Sequence, residues 1–202
     1  LWAPFRLGIH FTAMADSLLL VQNANAGRST TVDLESLLPR LRAAGWDPQI
    51  ARTTSPADAK AQIEQHAAAG GGGVIAVGGD GTVHSVLQGI DFGKQTLGII
   101  PVGSGNDIYR NFYRPHDLES ALAPILAKTT TQWDVGTVGT LRFLNSAGVG
   151  LDSETLAVRE RSRGFIRRNY ALLFLKTLTG LQRIDIEMTI DGVEMKERGW
   201  WY

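Results

Sequence analysis

The 202-residue sequence contains no cysteine, which excludes a disulfide framework, a thiolate nucleophile and a cysteine-ligated metal site. It also lacks a charge excess. Twenty Lys and Arg balance twenty Asp and Glu, for a formal net charge of zero. A balanced chain has no global pull toward nucleic acid or acidic lipid, so no nucleic-acid partner is expected. No apolar run approaches the roughly 18 residues that a membrane-spanning helix needs. The absence of cysteine fits the cytoplasm. What the chain has in quantity is glycine, 23 residues of it, much of it gathered at joints between patterned segments.

Met14 opens "MADSLLLVQNANAGR" and reads as a natural start, so residues 1–13 read as a non-native leader. A signal peptide is the rival reading, weakened by a single Arg and a broken apolar centre. Ser17 to Gln22 is an apolar strand candidate. Thr30 or Thr31 would cap a helix carrying Leu34, Leu37, Leu38 and Leu41, with Pro39 placed to bend or shorten it and Gly45 to end it. Pro48 to Thr53 is a second strand and Ala57 to Ala69 an alanine-rich helix. Val74 to Val77 is a buried strand, followed by Gly78-Gly79-Asp80-Gly81-Thr82. Val83, Val86, Leu87 and Ile90 then repeat at i, i+3, i+4 and i+7, the spacing of an amphipathic helix. Leu97 to Ile100 is a further strand, "GSGNDIYRNF" leads into a helix, and Leu118, Ala121, Leu122 and Ile125 mark another. This alternation predicts an α/β fold, a parallel sheet with helices on both faces.

The pattern changes after about Asp134. "FLNSAGVGL" reads as a short strand and Glu154 to Leu178 as a long helical stretch. Ile184, Ile186, Met188 and Ile190 alternate with polar residues before Asp191-Gly192, a tight-hairpin signal. The expected organisation is an α/β domain over residues 14–135, then an antiparallel β-domain begun at 136–202 and left incomplete. Arg159, Arg161, Arg163, Arg167, Arg168 and Lys176 surround an apolar set including Phe165, Ile166, Tyr170, Phe174 and Leu175. They read as a surface for anionic lipid or as a solvated face over a core stripe. Trp200 and Trp201 read as a cut strand or a membrane edge.

A glycine turn between strand and helix brings backbone N–H groups together, removes the Cβ atoms that would hold a ligand off, and adds the positive end of a helix dipole. That combination favours phosphate. Three loops follow strands, at Asn23 to Arg28, Gly78 to Thr82 and Gly103 to Asp107, and ligands of open α/β sheets lie at the carboxyl ends of strands. The dinucleotide pattern G-x-G-x-x-G fails at His84, and the P-loop pattern fails because Gln95 follows Gly93-Lys94. Asp80 would repel a triphosphate unless a divalent cation stood between them, with Arg28 or Arg110 adding positive charge. The rival role for Asp80 is a cap of the helix at Val83.

"GGDGT" followed by "LGIIPVGSGNDIYRNF" resembles the catalytic domain of diacylglycerol kinase-type lipid kinases, a superfamily that includes sphingosine kinases and NAD kinases. "VQNANAGR" stands where that family has an Asn-Pro-x-Ser-Gly loop, and "AGWDPQIARTTSPADA" resembles its nucleotide-contacting segment. "DVGTVGTLRFLNSAGVGLD" resembles the entry to a second, β-sandwich domain that binds lipid. The likeness runs from about Ser17 to the end. It implies transfer of the γ-phosphoryl of ATP to a lipid hydroxyl, that of diacylglycerol giving phosphatidate, with Mg2+ as cofactor. It implies ATP contacts at Asn23, Ala24, Asn25, Ala26, Gly27, Thr53, Gly78, Gly79, Asp80, Gly81, Thr82, Val83, His84 and Ser104, with Asp80 as the catalytic residue. Gly103, Gly105, Asn106 and Asp107 would brace the loop. Metal ligands are not assigned. Ala24, Ala26, His84, Ser85 and Ser104 replace the family's proline, serine, asparagine, glutamate and threonine. The implied protein is cytoplasmic, peripheral to the membrane that holds its lipid substrate, with a homodimer as one arrangement. The 202 residues alone are expected to be inactive, because the family's remaining acidic groups and lipid pocket lie beyond Tyr202. An NAD kinase-like phosphotransferase and a non-catalytic nucleotide-binding module are the alternatives.

Overall fold

The computed structural model describes residues 16–24, 32–103, 105–113, 117–148, 155, 158, 172–175, 177, 184–190 and 192–199. Those up to Asn145 belong to one compact unit and those from Ser146 onward to another.

The first unit is built on four parallel strands, β1 (Ser17–Asn23), β2 (Asp47–Thr53), β3 (Gly73–Gly78) and β4 (Thr96–Pro101), in the order β2-β1-β3-β4. Between and after them run α1 (Leu34–Ala43), α2 (Pro56–Ala68), α3 (Asp80–Leu87), α4 (Asp107–Phe112) and α5 (Leu118–Leu126). The chain steps outward from β1 to β2, recrosses β1 to reach β3, and continues to β4. Right-handed crossovers then require α1 on one face and α2 and α3 on the other. The buried side chains obey this. Leu18, Leu20, Ile75 and Val77 pack with Leu34, Leu37 and Leu41 of α1 and Leu122 of α5. Their neighbours Leu19, Val21, Val74 and Ala76 pack with Ile63 of α2 and Val83, Val86 and Leu87 of α3. Covered on both faces, β1 and β3 need unbroken apolar runs, which explains their sequences.

Two features differ from the sequence expectation. Neither Thr30 nor Thr31 caps α1; the cap is Asp33, whose carboxylate accepts from the Glu35 N–H at 3.2 Å. Asp33 is the residue just before the first buried leucine, and a carboxylate there also meets the positive end of the helix. Pro39 lies inside α1 on its exposed side, and the helix runs on to Ala43 before Gly45, at φ 79°, turns the chain. The second feature is a short antiparallel hairpin, β5 (Gly136–Val138) and β6 (Leu141–Phe143). It replaces the strand expected from Phe143 onward: pairing with β5 ends at Phe143, and residues 144–148 are not strand. The Gln88 amide holds β6 by donating to Arg142 O at 2.8 Å and accepting from Arg142 N at 3.0 Å.

In the second unit, β7 (Ile184–Ile190) and β8 (Val193–Gly199) form the predicted hairpin, turning at Gly192 with φ 85°. Lys196 pairs with Glu187 and Arg198 with Asp185 on one side, while Met188 stands opposite Met195. Thr155, Leu173 and Thr177 are buried helical residues, whereas Phe174 and Leu175 are exposed. The cationic residues expected to face lipid, Arg159 to Lys176, lie outside the described residues, as do residues 1–13, Trp200 and Trp201. Among the described residues no helix is long and apolar enough to cross a membrane.

Candidate active site at the carboxyl edge of the sheet

The connection reversal between β1 and β3 makes their carboxyl ends the switch point of the sheet, where ligand crevices form. Asn23, Gly78 and Pro101 end β1, β3 and β4 along this edge. The loops after β3 and β4 touch there. A Cβ on Gly103 would stand 2.5 Å from the Gly79 Cα, and one on Gly79 would stand 3.1 Å from the Gly103 Cα. Only two glycines allow backbone to rest on backbone at this distance. A Val102 N–H bond to Gly78 O, 3.1 Å, continues the contact from β4.

Gly79 is the N-cap of α3 in an extended conformation, and among the described residues no side chain caps that end of the helix with a hydrogen bond. Thr82 and Val83 bond their N–H groups back to Gly79 O. A Cβ on Gly81 would meet nothing within 4 Å among the described residues, so the first turn of α3 faces open space among them at this residue. Thr82 and Val83 are buried and His84 is exposed. Val83 therefore offers a ligand no more than its backbone.

Asp80 does not cap its own helix, which overturns the rival reading of this residue. It is the first residue of α3, and its Oδ1 accepts from the Ile108 N–H of α4 at 2.9 Å. Its Oδ2 faces Gly105: a Cβ there would lie 3.3 Å from Asp80 Oδ2 and 3.6 Å from Asp107 Oδ2. Two carboxylates thus flank one glycine. The hydrogen bonds that brace this loop come from Asn106. Its Oδ1 accepts from the Gly103 N–H at 2.9 Å and its Nδ2 donates to Gly103 O at 2.8 Å, with the backbone in the left-handed region at φ 55°.

On the other side of α3, Asn23, Thr53, Ser55, Thr82 and Ser85 line a small cleft. Thr53 is buried, its Oγ1 3.4 Å from Gln22 O, and its carbonyl accepts from the Ala24 N–H at 2.8 Å. The edge therefore gathers Asn23, Ala24, Thr53, Gly78 to Thr82, Gly103 and Gly105 to Asp107. Asn25, Ala26, Gly27, Arg28 and Ser104 lie outside the described residues. Arg110 is exposed on α4.

A much larger cleft lies elsewhere, along the outer edge of β4 and the amino ends of β3 and β4, with Lys60, Asp91, Gln95 and Trp133 in its wall. Glu64, Asp91 and Asp134 also line it, but none of the strand-to-helix glycine turns of the carboxyl edge does, and size alone is not chemistry. Sequence reasoning missed the Asp80 to Ile108 bond and the Gly79 to Gly103 contact, both of which join distant positions. Asn106 did carry a local signal, since asparagine is enriched among residues with positive φ. Among the described residues no group of three or more His, Asp or Glu is placed to hold a metal ion.

Comparison with known proteins identifies the family and the fold. A family profile described as "Diacylglycerol kinase catalytic domain" matches residues 17–138. The chain is 29% identical over 179 residues to a diacylglycerol kinase of Bacillus subtilis (strain 168), covering 86% of this chain and 59% of the relative. It is 26% identical over 178 residues to a diacylglycerol kinase of Staphylococcus aureus (strain JH9), covering 86% and 56%. A crystal structure of a diacylglycerol kinase from Bacillus anthracis str. Sterne superposes with a TM-score of 0.68 at 28% identity, covering 95% of this chain and 64% of that one. The chain spans less than two thirds of the length of each of these proteins.

Proposed function

The chain belongs to the diacylglycerol kinase catalytic domain family, and we propose that it carries the ATP-binding part of a lipid kinase that phosphorylates a lipid hydroxyl, that of diacylglycerol. Membership of a kinase family implies ATP as phosphoryl donor. The observation that carries the reading is the meeting of the two glycine loops, Gly79 on Gly103, beside Asp80 at the switch point. In this reading the triphosphate lies over the uncapped start of α3, where the backbone of Gly78 to Thr82 and the helix dipole attract it. Asn23 and Thr53 line its flank. Oδ2 of Asp80 and the carboxylate of Asp107 face the space beside Gly105. Together with phosphate oxygens and water they suit Mg2+, which keeps several non-protein ligands. When bound, the ion would neutralise charge developing on the transferred group. The protein's share is positioning and electrostatics, which is most of what phosphoryl transfer needs.

Residues 14–135 would form the ATP-binding domain and 136–202 the start of a lipid-binding sandwich. The enzyme would act in the cytoplasm at a membrane surface.

The test is transfer of label from [γ-32P]ATP with Mg2+ to diacylglycerol in mixed micelles, with NAD as the competing acceptor. Both the 202-residue chain and a version extended to the relatives' length should be assayed. Label in phosphatidate from either supports the reading. Label in NADP instead points to a soluble-acceptor kinase, and nucleotide binding without transfer points to a non-catalytic module.

A further inference from the structure

Asn106 makes both of its amide hydrogen bonds to one residue, Gly103. Fixing the N–H and the carbonyl of the same residue fixes the planes of both its peptides. Gly103 is also the residue whose backbone rests on Gly79. The Asn106 side chain therefore sets how the loop after β4 seats on the phosphate-facing loop after β3. Its left-handed backbone, φ 55° and ψ 41°, starts α4 in the direction that brings the Ile108 N–H to Asp80 Oδ1. An aspartate χ2 is broad, so an unheld carboxylate would sample a wide range of orientations of its plane.

We propose that Asn106 is the positioning residue of the site: through Gly103 and α4 it dictates that Oδ1 of Asp80 is held and Oδ2 is presented beside Gly105. The inference rests on the kinase reading for what Oδ2 faces, but not for the latch itself. One residue supplies two things, a side-chain clamp and an αL turn, and they can be separated. Asn106→Gly keeps the turn and removes the clamp. Asn106→Asp keeps the Oδ1 acceptor and loses the donor to Gly103 O.

Hydrogen exchange at the Ile108 amide reads the latch without any ligand, and titration with ATP, in Mg2+ and in EDTA, reads its consequence. In Asn106→Gly, Ile108 should exchange about tenfold faster or more, and MgATP affinity should fall about tenfold, the size expected for one displaced charged contact. Affinity for ATP in EDTA should change little, because Oδ2 matters only where a cation bridges it to phosphate. Asn106→Asp should recover part of the Ile108 protection, and it serves as the test if the glycine variant does not fold. Unchanged Ile108 exchange in Asn106→Gly overturns the latch. Faster exchange with unchanged MgATP affinity, or with equal loss in Mg2+ and EDTA, overturns the positioning role. If the parent chain binds no ATP while Ile108 responds as described, the kinase reading falls and the latch stands.

Discussion

The two ends of the parallel sheet are built by opposite means. At the amino end, long side chains close the chain on itself. Lys128 donates to Asp16 Oδ1 at 2.5 Å and to Gly45 O at 2.9 Å, and its ammonium lies 4.5 Å from the Trp46 ring centre. Trp46 Nε1 donates to Ile125 O, tying the entry of β2 to α5, and buried His66 sits 3.1 Å from Gly73 O at the entry of β3. At the carboxyl end the contacts are backbone to backbone, and Asn106 with one oxygen of Asp80 does the fastening. The first end is fastened by side chains that bond to backbone carbonyls, although the buried Gln95 Nε2 beside β4 has no partner among the described residues. The second leaves a carboxylate oxygen and the start of a helix facing outward. Substitutions at the amino end should therefore act mainly on stability, and those at the carboxyl end that keep its fastening bonds mainly on function.

The largest separation is expected at Asp80. Asn in its place still offers an oxygen to the Ile108 N–H, so Asp80→Asn should keep the melting temperature. Phosphoryl transfer should fall by about 10² or more, as loss of a charge that organises metal or transition state does. Steady-state transfer to diacylglycerol beside thermal unfolding checks this, and near-normal turnover would reduce Asp80 to a fastener of α4. Lys128→Ala is the converse. It removes two hydrogen bonds and a cation–π contact from a partly exposed ammonium, and should cost about 1–2 kcal/mol of stability in denaturant titration. ATP affinity should not move.

Most of the fold was legible because its signals are local. The 3.6-residue period led to a helix with Val83, Val86 and Leu87 on its buried face, although the helix ends at Leu87 and Ile90 is buried beyond it. The apolar runs of β1 and β3 and the Asp191-Gly192 signal likewise led to strands and a hairpin. β5 escaped because Gly136-Thr137-Val138 is three residues long and has no apolar alternation to read. Asp33 was passed over for the nearby threonines, since the sequence shows which residues can cap and not where the first helical turn closes. The candidate site was half legible. Glycine turns after strands announce where phosphate can approach. Which carboxylate reaches which amide is fixed by tertiary packing, and residues 28 apart, such as Asp80 and Ile108, leave no periodic trace.

The smallest expected effect belongs to the amino end and to pH. Burial holds the His66 pKa below its ordinary 6.5, outweighing the nearby carbonyls of Gly73 and Ser17. As pH falls through 6.5 the unfolded chain takes up a proton that the folded chain refuses, so the unfolded state is favoured. Stability should decline from that pH down to the lowered folded-state value and then level off with respect to this group. Denaturant titrations across this range should show the decline in the parent and a flatter profile in His66→Gln.

The central claim is that the open space beside the first turn of α3 is where the triphosphate lies, and Gly81 tests it most directly. A Cβ there meets no neighbouring atom of the described residues within 4 Å, and valine is a better helix residue than glycine. Gly81→Val should keep or slightly raise the melting temperature while a branched Cβ occupies the phosphate space. Calorimetric titration of the two proteins with MgATP should show binding by the parent and a loss of about 10²-fold or more in the variant. A folded Gly81→Val protein that binds MgATP as tightly as the parent would contradict the account.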